Sequence, residues 1–144
     1  MSRSIEEKVE EYYKKEFDNY GIRHFGKTEN INDDIANALK EADSKSGGAG
    51  INYPDIQLLL DDGHARRIPV MIEAKGGRNK LEKLDKSGNI VQATTYASDS
   101  KPGARKPHKK GDKNYAAITT YATNGALHYG DAILRHSNYD EVLI

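Results

Sequence analysis

The chain has 144 residues, of which 36% are hydrophobic and 31% charged; 22 basic side chains balance 22 acidic ones, and there is no cysteine. This length suits one domain with a core of its own. The missing cysteines exclude disulfides, thiolate zinc sites and cysteine nucleophiles, and zero net charge argues against a strong free-standing nucleic-acid binder. No apolar run reaches 18 residues, and the start "MSRSIEEKVEEYYKK" lacks the apolar stretch of a signal peptide, so the expectation is a cytoplasmic protein with no membrane partner.

Residues 4–19, "SIEEKVEEYYKKEFDN", predict a helix. Ser4 is placed to cap it, early glutamates suit its positive end, and Gly21 is placed to stop it. Ile5, Val9, Tyr12, Tyr13 and Phe17 recur at helical spacing and predict its apolar stripe. Asn30 to Ala42 predicts a second helix, with Asn32 as cap and Ile35, Ala38, Leu39 and Ala42 inward. "DSKSGGAGINYP" follows as a loop; its glycines lack the terminal Gly-Lys-Ser/Thr of a phosphate-binding loop.

Next come two apolar strands, 55–61 and 68–75, joined by "DDGHARR". Side chains alternate along a strand, so Glu73 and Lys75 share a face, as do Asp55, Gln57 and Leu59. Pairing Asp55 with Glu73 centres the hairpin on His64, in the middle of the turn. Ile56, Leu58 and Leu60 then join Ile68, Val70 and Ile72 on one apolar face directed to the core. The opposite face gathers Asp55, Glu73 and Lys75 at the open end. Two carboxylates converging at a partly buried strand end repel each other. A divalent cation with hard oxygen ligands, Mg²⁺ or Mn²⁺, relieves this, and an ammonium beside it suits phosphodiester hydrolysis.

Beyond the hairpin, "GGRNKLEKLDKSG" reads as a loop or loose helical turn and "NIVQATTYASDS" as a helix. The basic stretch 101–113 reads as a long flexible loop, and Tyr115 to Thr123 as a strand. "GALHYGDAILRHSNY" reads as a short strand or helix, and "DEVLI" as the start of another strand. Because the chain stops inside that apolar run, it is expected to be a fragment of a longer multidomain protein. The order predicts a single α/β domain over 1–144: a central mixed sheet flanked by helices.

"PD" at Pro54-Asp55, followed by "EAK" at Glu73-Ala74-Lys75, resembles the PD-(D/E)XK nuclease superfamily, and "QATTY" (Gln92 to Tyr96) is similar to its QxxxY signature. The glycine-rich lead into Pro-Asp and "YATNGALHYGD" further resemble nuclease domains at the front of large restriction enzymes, over roughly residues 45–130. The resemblance implies a restriction-endonuclease-like core of order α-β-β-β-α-β, whose first strand is not distinct in this sequence. It implies Asp55 and Glu73 as Mg²⁺ ligands, with Mn²⁺ able to substitute, and the Ala74 carbonyl as a third. Lys75 then becomes the catalytic lysine, with Gln92 and Tyr96 supporting the site or meeting phosphate.

Many members add a glutamate from the first helix. Glu6, Glu7, Glu10, Glu11 and Glu16 are all available, and Glu10, beside Val9, is placed first. The function implied is a metal-dependent DNA endonuclease, the cleavage module of a restriction-modification enzyme. Lys101, Arg105, Lys106, Lys109 and Lys110 would grip DNA, and methyltransferase, helicase or target-recognition domains of the same polypeptide would be its partners. The alternatives are a structure-specific or exonucleolytic enzyme resembling a junction resolvase, and a catalytically silent DNA-binding module. His24, His64, His108, His128 and His136 show no zinc-binding spacing. Ordinary structure accounts for single features: an ion pair of Glu73 with Lys75 or Arg78, a loop-capping Asp55, an exposed Gln92, a core Tyr96, a solvated basic loop.

Overall fold

The structure, a computed structural model, describes residues 3–44, 47 and 53–144. Most of the glycine-rich loop before Tyr53 therefore lies outside the described residues. The elements run α1 (Ile5–Asn19), α2 (Asp33–Glu41), β1 (Ile56–Asp61), β2 (Arg67–Ile72), α3 (Tyr115–Thr120) and α4 (Ala122–His136). The class is α+β, helices around a small antiparallel sheet.

Each early element begins and ends where its local chemistry dictates. Ser4 and Glu7 form a reciprocal capping box at the start of α1. Gly21, at φ 66°, ends it: the Gly21 N–H donates to Asp18 O and the Ile22 N–H to Phe17 O. The Asn32 side chain accepts from the Ile35 N–H and caps α2.

The hairpin has the expected register, Ile56 opposite Ile72 through Asp61 opposite Arg67. Single-residue bridges extend both edges. Phe25 pairs antiparallel with Gln57, and Leu143 pairs parallel with Val70, so "DEVLI" meets the sheet through one residue.

Both faces of the hairpin are covered, which corrects the expectation of one core face and one site face. Ile56, Leu58 and Val70 pack against Phe17 and Ile22. Met71, on the other face, is fully buried among Ile35, Leu39, Tyr129 and Ile133 of α2 and α4. The predicted stripe of α1 is also corrected. Ile5, Tyr12 and Tyr13 are exposed, and the one buried residue of α1 is Glu10.

Two later expectations fail. Residues 90–100 form no helix. The β-branched Val91, Thr94 and Thr95 favour extended backbone, and long-range bonds hold it there: the Asn114 N–H donates to Thr94 O and the Tyr96 N–H to Asp112 O. The predicted strand at Tyr115–Thr123 is instead α3 and the start of α4. Asn114 caps α3 through the Ala117 N–H, and Ile118, Ala122, Ala126, Tyr129 and Ile133 are buried at helical spacing. The 101–113 stretch has no regular structure, as expected of a loop, and hydrogen bonds tie it to its flanks. The Ser100 N–H donates to His108 O, the Gly111 N–H to Tyr96 O and the Lys110 N–H to Asp99, while the Tyr96 and His108 rings stack with centroids 3.4 Å apart.

Candidate functional site

The site forms where the start of β1, the exit of β2 and the first turns of α1 meet. Asp55 lies one residue before β1 and is 1% exposed. Its Oδ2 accepts the Ala74 N–H at 2.7 Å, which ties the two strand ends together. Past Lys75 the chain passes directly beneath α1. A side chain on Gly76 would come within 2.6 Å of the Glu6 nitrogen, so only glycine allows this approach. The close crossing turns Glu6 and Glu10, one helical turn apart, toward the hairpin.

Glu6, Glu10 and Asp55 each offer a carboxylate oxygen, and these oxygens lie within 4.8 Å of one another. At that separation two buried carboxylates repel by about 3–4 kcal/mol at an effective dielectric of about 20. The set needs a cation, and Lys27 supplies one. Its Nζ lies 2.8 Å from Glu10 Oε1 and 3.0 Å from Asp55 Oδ1. Partial burial works against the ammonium's charge, but its hydrogen bonds to Glu10 and Asp55 outweigh that and raise the Lys27 pKa above the ordinary lysine range. Lys75 stands at the other side, its Nζ 4.0 Å from Glu6 Oε1.

Glu73 is buried but lies outside this triad. It faces α4, where its Oε2 is 3.4 Å from the position a Cβ on Gly125 would take. Burial first, then the charges of Glu73 and Asp55, push the Tyr129 hydroxyl's pKa far up, so this phenol stays neutral beside the two carboxylates. Its Oη is buried and has no hydrogen-bond partner among the described residues.

The sequence-predicted residues thus divide. Asp55, Glu10 and Lys75 come together, with the Ala74 backbone bonded to Asp55. Glu73 adjoins them from the α4 side. Gln92 is exposed and lines a separate cavity of about 660 Å³ with Asp43, Lys113 and His128. Tyr96 is taken up by its stack on His108. Lys101, Arg105, Lys106, Lys109 and Lys110 are all exposed on their loop.

Sequence reasoning missed Lys27, Tyr129 and two polar residues of α4. Asn124, 1% exposed, donates to Ala93 O. His128 bonds Asp43 O through Nε2 at 2.7 Å and meets Lys113 Nζ through Nδ1 at 3.4 Å. The helical spacing of small and apolar residues in "YATNGALHYGDAI" is the signal that would have found the α4 residues.

The donor set fits a divalent cation in kind: three hard oxygens on two chain segments, buried on one side. Lying within 4.8 Å of one another, these oxygens fall in the roughly 4–5 Å that opposite ligands of one divalent cation cover, and two of them also hold the Lys27 ammonium. The chain matches no protein-family model, no curated protein and no solved structure at a significant level.

Proposed function

We propose that the chain is a metal-dependent DNA nuclease domain of the PD-(D/E)XK type, serving as the cleavage module of a restriction system. One observation carries this reading: the hairpin register delivers Asp55 to two acids of α1, with Lys75 beside them. The single-residue bridges that extend the hairpin on both edges, one antiparallel and one parallel, support a restriction-endonuclease-like core.

Glu10, Asp55 and Glu6 would hold Mg²⁺ or Mn²⁺, with Glu73 and the Ala74 backbone adjoining. When bound, the ion supplies Lewis acidity toward a phosphate oxygen and lowers the pKa of a bound water. Lys75 orients the attacking water and offsets charge building on the phosphate. The new bond is water oxygen to phosphorus, the broken one is a phosphorus–ester oxygen bond, and the departing oxygen takes the proton. Neutral overall charge leaves target recognition to other domains or a partner.

The Lys27 bridge favours a second reading, a silent DNA-binding module, because an internal cation already compensates Glu10 and Asp55. Plasmid nicking separates the two. Supercoiled DNA in Mn²⁺ is expected to be relaxed by the wild-type chain and left intact by Asp55→Asn and by Lys75→Met. Equal nicking by wild type and both variants would sink the nuclease assignment.

A further inference from the structure

We propose that Lys27 is the resident counter-cation of the Glu10–Asp55 pair and that a divalent cation enters this site by exchange with the Lys27 ammonium. The inference rests on the metal-site reading above and adds a gate to it.

Sheet register places Lys27 there. Phe25 exchanges both backbone hydrogen bonds with Gln57, at 2.9 and 2.8 Å. Two residues further along each antiparallel segment, Lys27 stands across from Asp55. The Gly26 N–H is held by the Glu29 side chain at 2.9 Å, which fixes the turn that presents Lys27. The ammonium then lies between the two most buried oxygen donors of the triad, which are also the two an incoming metal needs most.

The same placement makes Lys27 releasable. Its side chain is 50% exposed, whereas those of Asp55 and Glu10 are 2% and 10% exposed. It belongs to an edge segment that pairs with the sheet at one bridged residue, Phe25, with one further bond from the Gln57 side chain to Glu29 O. Asp55 is held independently of Lys27, by the Ala74 N–H. On the α4 side, the buried Tyr129 hydroxyl has no hydrogen-bond partner among the described residues and has Glu73 and Asp55 as its charged neighbours. A cation carrying one charge holds the acids apart at lysine distances. A divalent ion must take both oxygens, and it meets them only after Nζ leaves.

The test is Mn²⁺ binding to the full chain, read by electron paramagnetic resonance of the free ion and by the Mn²⁺-dependent rise in Tm. Lys27→Met, which removes the competing charge, is expected to bind Mn²⁺ at least tenfold more tightly than wild type. Adding Asp55→Asn is expected to abolish that gain. Lys27→Gln keeps a hydrogen-bond donor without charge and is expected to show the same tightening. If Lys27→Met folds only with Mn²⁺ present, the exchange is supported.

Equal or weaker binding by a folded Lys27→Met overturns it. So does a Lys27→Met that stays unfolded with Mn²⁺ while Lys27→Gln binds no tighter. Nicking is scored separately. Tightened Mn²⁺ binding without any nicking keeps the exchange and removes the nuclease reading. Nicking by wild type with unchanged Mn²⁺ affinity in Lys27→Met does the reverse.

Discussion

His128 shows what a single buried titratable group does in this fold. It is 1% exposed, and its ring spans two elements: Nε2 bonds the Asp43 carbonyl just past α2, and Nδ1 meets Lys113. With Lys113 as donor, Nδ1 is the acceptor and the proton sits on Nε2. Burial lowers its pKa below the ordinary 6.5, the hydrogen bond to Asp43 opposes this, and the Lys113 charge adds to the lowering. The unfolded chain therefore takes up a proton first as pH falls. Stability from this residue is complete above the unfolded value of 6.5 and drains away as pH drops from there through the lower folded value. Wild-type Tm is expected to fall as pH drops below the unfolded value of 6.5, and His128→Gln, which retains a donor near the Nε2 position, to show a shallower fall. Thermal melts across that range decide it; identical slopes would mean that His128 does not drive the acid response.

At the scale of elements, the site depends on how α1 crosses the exit of β2. A side chain on Gly76 would collide with the Glu6 nitrogen at 2.6 Å and with Ile5 Cβ at 3.0 Å. Gly76→Ala is expected to push the first turn of α1 away at a cost of about 1–3 kcal/mol, which lowers Tm by several degrees. It should also weaken Mn²⁺ binding more than an exposed change such as Lys86→Gln, because Glu6 and Glu10 ride on the displaced helix. A Gly76→Ala chain with unchanged Tm and metal affinity would show that α1 does not need this close approach. The hairpin behind the crossing was legible in the sequence, since strand alternation and a turn centred on His64 leave one register that keeps apolar residues together. The caps at Ser4 and Asn32 were legible for the same local reason. α3 was not: "YAAITTY" is rich in aromatic and β-branched residues that suit strands, and tertiary packing of Ile118 and the neighbouring Ala122 overrode that preference. Lys27 was also hidden, because one bridged residue, Phe25, leaves no two-residue alternation to read.

Across the whole molecule, zero net charge conceals segregation. Acids gather on α1, where Glu6 and Glu10 face the hairpin, and cations gather on the loop from Lys101 to Lys113. That loop buries little, yet Asp99, Ser100, Tyr96 and Asp112 fix it through hydrogen bonds. Lys109 Nζ lies 3.7 Å from Asp99, whereas Lys101, Arg105, Lys106 and Lys110 are exposed and form no ion pair among the described residues. Four cations on an ordered loop lose less freedom on meeting a phosphate backbone than four on a disordered one, and none has an ion-pair partner among the described residues to give up. Because they lie outside the core and the acidic site, replacing all four with glutamine is expected to leave Tm and Mn²⁺ affinity unchanged. Non-specific duplex binding should weaken, and the slope of log Kd against log salt concentration should flatten by about 0.9 for each phosphate that is no longer neutralised, up to roughly 3–4 in all. Titrating labelled duplex at several salt concentrations reads that slope directly. A slope unchanged in the fourfold variant would move the DNA-binding surface elsewhere and leave the basic loop as a solvated, hydrogen-bonded strap.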